Sequence, residues 1–168
     1  GKTTVTNMLN HVLELNNLIT DMGGNIGKPL SKIALESMKD NYQELNWLVL
    51  ELSSYQIESS PKVSPKIGIW TTFTPDHLER HNNLETYFKI KRSLLEKSSI
   101  RIYNSDDRYL YSKRKELPKG IWIGINNQSF YSNHPKFWID KEGYIFEDQN
   151  KLFHSSTLKI PGKHNLQN

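Results

Sequence analysis

Val5, Met8, Leu9, Val12 and Leu13 recur at helical spacing, so residues 2–15 read as an amphipathic helix. Residues 18–20 form a short apolar stretch with the look of a strand. Gly23-Gly24-Asn25-Ile26-Gly27 reads as a loop, because three glycines in five residues disfavour regular structure. Pro29 suits the first turn of a second helix carrying Leu30, Ile33, Ala34 and Met38. Trp47-Leu48-Val49-Leu50 is a continuous apolar run that ends in Glu51, the pattern of a strand covered on both faces. Residues 67–73, entered after Pro65, form another such strand. Residues 84–97 return to the helical period, and 100–103 and 121–125 are two further strands.

The last third changes character. Residues 137–139, 144–146 and 151–160 are strand-like and are joined by turn-forming residues at 140–143 and 148–150. The expected fold class is α/β: a mostly parallel sheet flanked by helices, with an antiparallel β meander near the C-terminus.

Composition narrows the class. The chain has 168 residues, the size of one domain with a real core. Its 36% hydrophobic and 24% charged residues fit a globular chain rather than a disordered one. No apolar run approaches the roughly 18 residues of a membrane span, no signal peptide is visible, and the absence of cysteine excludes a disulfide framework. The expectation is a cytoplasmic protein with no membrane partner. The net charge of +4 is scattered rather than gathered in a basic stripe, which suits anionic small molecules and argues against nucleic acid. The first residues look like the middle of a motif and Asn168 follows a Pro-Gly turn, so the chain reads as a piece of a longer protein.

Several groups are candidates for chemistry. Gly1-Lys2-Thr3-Thr4 opens the first helix and matches the end of a phosphate-binding loop, in which Lys reaches the β/γ-phosphates and a Thr hydroxyl holds Mg²⁺. A chance Gly-Lys-Thr at a helix start is the competing reading. Glu51 is a carboxylate at the C-terminal end of the most apolar strand, where open α/β sheets place ligands. It reads as a metal ligand rather than as a residue leaving the core for solvent. In the segment 74–81, Asp76 and His77 are candidates for metal or phosphate. His77 and His81 have the i, i+4 spacing of a zinc pair, but no third ligand is evident, and His81 reads as a surface histidine.

Lys91 falls on the same helical stripe as Leu84, Tyr87, Phe88, Leu94 and Leu95, whereas Lys89 and Arg92 fall elsewhere. An inward lysine is paired, shifted in pKa, modified, or snorkelling along its stem. An amine made nucleophilic by burial can add CO₂ and become a carbamate, an anion able to bind Mg²⁺. Asn104-Ser105-Asp106-Asp107 reads as a turn and helix cap. Gly162-Lys163-His164-Asn165 with Asn168 reads as a turn followed by amides.

In order and spacing these pieces resemble the Mur ligases of peptidoglycan synthesis across nearly the whole chain. Gly1-Lys2-Thr3-Thr4 looks like the end of that family's T-G-T-N-G-K-[ST]-T loop, and Glu51 like its Mg²⁺-binding acid. Asp76-His77-Leu78-Glu79-Arg80-His81 is similar to its D-H-L-D-R-H element, and Lys91 lies where it carries a carbamylated lysine. Gly162 to Asn168 is similar to its G-x-H-N-x-x-N element. Two departures stand out: Glu79 replaces the usual aspartate, and Thr72 stands near a place where asparagine is frequent.

The resemblance implies a P-loop NTPase-like central ATP-binding domain over 1–161, truncated within its loop, with 162–168 opening a linker to a C-terminal domain. It implies a ligase that forms a carbon–nitrogen bond with ATP and two Mg²⁺. Gly1, Lys2, Thr3, Thr4, Asn165 and Asn168 would bind the nucleotide, the last two at its adenine. Thr3, Glu51, His77 and Lys91 would hold metal, and Lys2, His77 and Lys91 would be catalytic. The words Gly24 to Gly27 and Glu51 to Glu58 are similar to those of the branch that adds D-glutamate to UDP-N-acetylmuramoyl-L-alanine, acting as a monomer. Asn25 and Ser53 would meet that substrate. The alternatives are another Mur or folylpolyglutamate-type ligase, and a nucleotide-binding fragment without catalysis.

Overall fold

The computed structural model describes residues 1–76, 78–125, 135–159, 162–166 and 168, with backbone alone at 78, 163 and 164. The chain divides into two compact units, Gly1–Pro61 and Lys62–Asn168.

The first unit runs α1 (Lys2–Leu15), β1 (Thr20–Gly24), α2 (Leu30–Ser37), β2 (Trp47–Glu51) and α3 (Ser54–Ser59). Helix α1 has the bounds its periodicity predicts and packs on both strands. Pro29 stands at the N-cap of α2, one place before the first turn. The first strand lies later than the apolar pattern suggests, at Thr20–Gly24 rather than 18–20, and takes in two of the glycines read as loop. The cause is its partner. β1 and β2 run parallel, with Thr20 opposite Trp47 and Gly24 opposite Glu51. At Gly24, with φ of 106°, a side chain would collide with the Glu51 carbonyl, so the strand needs glycine where it meets β2 most closely. Leu48 of β2 remains exposed, so this strand is not covered on both faces. Helix α3, which the sequence pattern did not suggest, begins in a capping box. Ser53 caps the Gln56 amide, and the Gln56 side chain returns to the Ser53 amide.

The second unit runs β3 (Ile67–Trp70), α4 (Leu78–His81), α5 (Leu84–Glu96), β4 (Ile100–Asn104), α6 (Arg108–Ser112), β5 (Ile121–Ile123), β6 (Phe137–Ile139), β7 (Tyr144–Glu147) and β8 (Asn150–His154). Its six strands lie in sequence order. They are parallel from β3 to β6 and antiparallel from β6 to β8. The hairpins turn at Gly143 and Asp148, both with positive φ. A β-bulge between Ile145 and Phe146 shifts the register of β7 against β8. The α/β class with a C-terminal antiparallel meander is therefore as expected.

Two strands end earlier than their apolar runs, for one physical reason. Beyond Trp70, the Phe73 N–H donates to the Asp107 carboxylate at 2.5 Å. Beyond Ile123, the Ile125 N–H donates to Asp106 at 2.7 Å. Asp107 also caps α6 through the Leu110 N–H, as the turn-and-cap reading of 104–107 anticipated. The segment 151–160 leaves the sheet after His154, whose side chain accepts from the Ser156 N–H and starts a 3₁₀ turn; Ile160 lies outside the described residues. The core gathers Trp70, Phe73, Tyr87, Phe88, Leu95, Tyr103, Leu110 and Leu117. Burial pushes the Tyr103 phenol up to about 12, and its O–H donates to the Pro118 carbonyl at 3.0 Å.

Candidate functional site

At the top of the first unit, where β1 and β2 end, three sequence-predicted residues meet. The Thr3 hydroxyl donates to Glu51 Oε2 at 2.9 Å, and Asn25 Nδ2 donates to Glu51 Oε1 at 2.9 Å. The Asn25 amide also donates to the Glu51 carbonyl at 2.7 Å. Glu51 is only 4% exposed. A carboxylate so far from water needs such donors, and hydrogen bonds to an ionised group are the strong kind. The parallel register makes the meeting possible: it sets Gly24 beside Glu51 and delivers Asn25 to the acid. Asn25, expected to face substrate, is here also a direct partner of Glu51.

Gly1 is the N-cap of α1 and has no side chain of its own to cap the helix start, and the first turn carries no acid. A 14-residue helix in this condition presents its first amides and the positive end of its dipole to an anion. Lys2 occupies the first helical position, is exposed, and lies beside Thr3.

The donor set fits Mg²⁺. Octahedral Mg²⁺ takes oxygens at about 2.1 Å, which sets neighbouring ligands about 3 Å apart. Thr3 Oγ1 and Glu51 Oε2 are already 2.9 Å apart. Mg²⁺ also tends to take only one or two protein oxygens and to complete its shell with water and phosphate. Among the described residues no three His, Cys, Asp or Glu side chains gather into a protein cage. Ser53 follows Glu51 closely, and its hydroxyl is engaged in the α3 cap.

In the second unit, Lys91 lies on the buried face of α5 with Tyr87, Phe88 and Leu95 and is 9% exposed. Lys89 is exposed, as the stripe predicts. The Lys91 amine sits 4.9 Å from the Tyr87 ring centroid. His81 is not the surface histidine expected from sequence. It is 2% exposed and stacks on Tyr87 at 5.2 Å and 24°. The turn at Asn82, with positive φ, and the Asn83 cap of α5 fold α4 back onto α5. A four-residue helix carries no periodicity from which this could be read. His77, expected to be catalytic and to hold metal, lies outside the described residues. Lys163–Leu166 form a 3₁₀ turn, and Asn168 Nδ2 donates to Asn165 Oδ1 at 3.1 Å, so the two amides expected at an adenine are neighbours.

The first unit also carries a charged cluster. Lys28 Nζ bridges Asp21 at 2.6 Å and Glu36 at 2.9 Å beside a cleft of about 420 Å³. The Asp21 bond above all, with that to Glu36, raises Lys28 well above the usual lysine range, and Lys28 in turn lowers Glu36. The three side chains are about one-third exposed, and an ion cluster of this kind contributes little to stability.

The model of the Mur ligase middle domain matches residues 1–168. The UDP-N-acetylmuramoylalanine--D-glutamate ligase of Prochlorococcus marinus strain NATL2A is 81% identical over all 168 residues, and that of strain MIT 9313 is 52% identical over the same span. The chain spans 36% of the length of each. Among solved structures, a UDP-N-acetylmuramoyl-L-alanyl-D-glutamate--2,6-diaminopimelate ligase superposes over 98% of this chain and 38% of its own, with a TM-score of 0.72 at 17% identity. A ligase from Thermotoga maritima solved in complex with ADP superposes over 99% of this chain and 40% of its own, with a TM-score of 0.64 at 19% identity.

Proposed function

This chain belongs to the Mur ligase family, and we propose that it forms the ATP-handling core of a ligase adding D-glutamate to UDP-N-acetylmuramoyl-L-alanine in peptidoglycan synthesis. The observation that carries the reading is the Thr3–Glu51 contact at the glycine-led start of α1. The 81% identity to a D-glutamate ligase supports the choice of amino acid.

The reaction must bring two anions together. The L-alanine carboxylate attacks the γ-phosphorus of ATP, the bond to ADP breaks, and an acyl phosphate forms. The amine of D-glutamate then attacks the acyl carbon, phosphate leaves, and the amine proton passes to solvent. Charge neutralisation and alignment are the protein's task. The α1 amides and Lys2 bind the phosphate oxygens. Thr3 and Glu51 would hold one Mg²⁺, and Asn25 keeps the Glu51 carboxylate oriented. Lys91, as its carbamate, and His77 would hold a second. When bound, Mg²⁺ supplies Lewis-acid polarisation of the phosphate and carboxylate oxygens. Asn165 and Asn168 receive the adenine, and Asn25 and Ser53 line the approach of the UDP-sugar substrate. In this reading residues 1–161 are the central domain and 162–168 open the connection to a further domain that takes D-glutamate. The enzyme works as a cytoplasmic monomer; no helix among the described residues is long and apolar enough to cross a membrane.

The test is phosphate release by the full-length protein with ATP, UDP-N-acetylmuramoyl-L-alanine and a panel of amino acids. Release that requires both the nucleotide sugar and D-glutamate is expected. Preference for another amino acid or a folate moves the chain to another branch, and ATP binding without amide formation overturns the reading.

A further inference from the structure

We propose that His81 is a positioning residue for Lys91, acting through the ring of Tyr87; the inference rests on the role given to Lys91 above. The observations form a chain of contacts. His81 is 2% exposed although its sequence neighbours Arg80, Asn82 and Asn83 are all exposed. Its ring lies nearly parallel to that of Tyr87, 5.2 Å away at 24°. Tyr87 is also stacked on Phe73, at 5.1 Å and 28°. The Phe73 backbone is itself tied to the Asp107 carboxylate. Tyr87 is therefore held by rings from two other segments of the chain. Four residues along α5, and so on the same helix face, Lys91 brings its amine to 4.9 Å from that ring.

A lysine stem has four rotatable bonds, and fixing them is costly unless neighbouring groups already define the path. Tyr87 supplies a flat wall for the stem and amine, and the orientation of the wall depends on the rings stacked against it. Phe73 alone leaves the α4 side open. His81 closes it and ties α4 to the face of α5 that carries the functional amine. The contact that the structure shows is between planar rings, so another aromatic residue should serve where an aliphatic one of similar volume does not. A displacement of about 1 Å of a catalytic group costs on the order of a hundredfold in rate, so a small tilt of Tyr87 is enough to be measured.

The experiment compares His81→Phe, His81→Leu and Lys91→Ala in the full-length protein. It records kcat, the KM for ATP and the melting temperature. We expect His81→Phe to retain kcat and His81→Leu to lose about ten- to a hundredfold in kcat. The KM for ATP should be unchanged in both, and their melting temperatures should agree. Equal kcat in His81→Phe and His81→Leu, whether at the parent value or reduced, overturns the inference. So does a loss in His81→Leu that appears only in KM or that tracks melting temperature. An active Lys91→Ala sinks the assignment of Lys91 instead, which separates the two failures.

Discussion

Glu51 in the first unit and Lys91 in the second are almost equally hidden from water, at 4% and 9% exposure, and different side chains line them. Glu51 is fixed by directional bonds from Thr3 and Asn25. Lys91 lies against an aromatic wall on a helix face shared with Phe88 and Leu95. The units around them differ in the same way. The first has three buried apolar side chains, Val5, Ile33 and Ile57, and leaves Val12, Leu15, Leu35 and Met38 exposed. The second has the aromatic cluster. A carboxylate is held best by donors, which need few neighbours but exact reach. An amine on the buried face of a helix is held in part by shape, which needs a dense core.

The sharpest way to break this contrast is Lys91→Ala in the full-length protein. Turnover should fall on the order of a thousandfold. Bicarbonate should not restore it, whereas a short carboxylic acid that fills the gap should restore part. Unimpaired turnover would remove Lys91 from the chemistry and leave its burial as packing alone.

Next in size is Phe88→Ala. Phe88 is fully buried, and its loss should cost about 3–5 kcal/mol in denaturant unfolding of the second unit. In hydrogen exchange of the parent chain, β3 and β4 amides should accordingly be protected longer than those of β1 and β2. Faster exchange in β3 and β4 would refute the contrast in core density.

Glu51→Gln should be milder in structure than in function. The Thr3 hydroxyl can reverse and accept from the new amide, so the melting temperature should hardly move. The Mg²⁺ concentration for half-maximal activity should rise at least about tenfold. An unchanged Mg²⁺ requirement would leave Glu51 a purely structural acid.

The smallest effect is at alkaline pH. With the Tyr103 phenol pushed up to about 12 by burial, the unfolded chain releases this proton from about pH 10, while the folded chain keeps it until near 12. Stability from this source is complete below pH 10 and is lost as pH rises through that window. Tyr103→Phe should flatten this part of an alkaline melting series and leave neutral pH with only the cost of one hydrogen bond. An unchanged alkaline slope would assign it to other groups.

The sequence made some of this plain. Four turns of unbroken periodicity mark α1 to the residue, and the stripe through Tyr87, Phe88 and Leu95 turns Lys91 inward before any coordinates are needed. Thr3 and Glu51 are 48 positions apart, and the phosphate-loop pattern together with the place of Glu51 at a strand's end joined them in advance. What was hidden depends on partners distant in sequence. The glycines of β1 look like a loop until β2 lies beside them. The ends of β3 and β5 are set by carboxylates 34 and 19 residues away. Helix α3 is six residues long, too short for a period, although the Ser53–Gln56 spacing was an available signal. His81 sits among polar residues, and only the turn at Asn82 reveals where it goes.

The bulge between β7 and β8 bears on a different property. Among the described residues β8 is the outermost strand of its sheet and exposes Leu152 and Phe153, a combination that invites edge-to-edge aggregation. The irregular register beside Phe146 twists that border and interrupts the even row of backbone donors and acceptors that a stray chain would need as a template. A local misfit in one hairpin thus makes this sheet edge a poorer template for a stray strand.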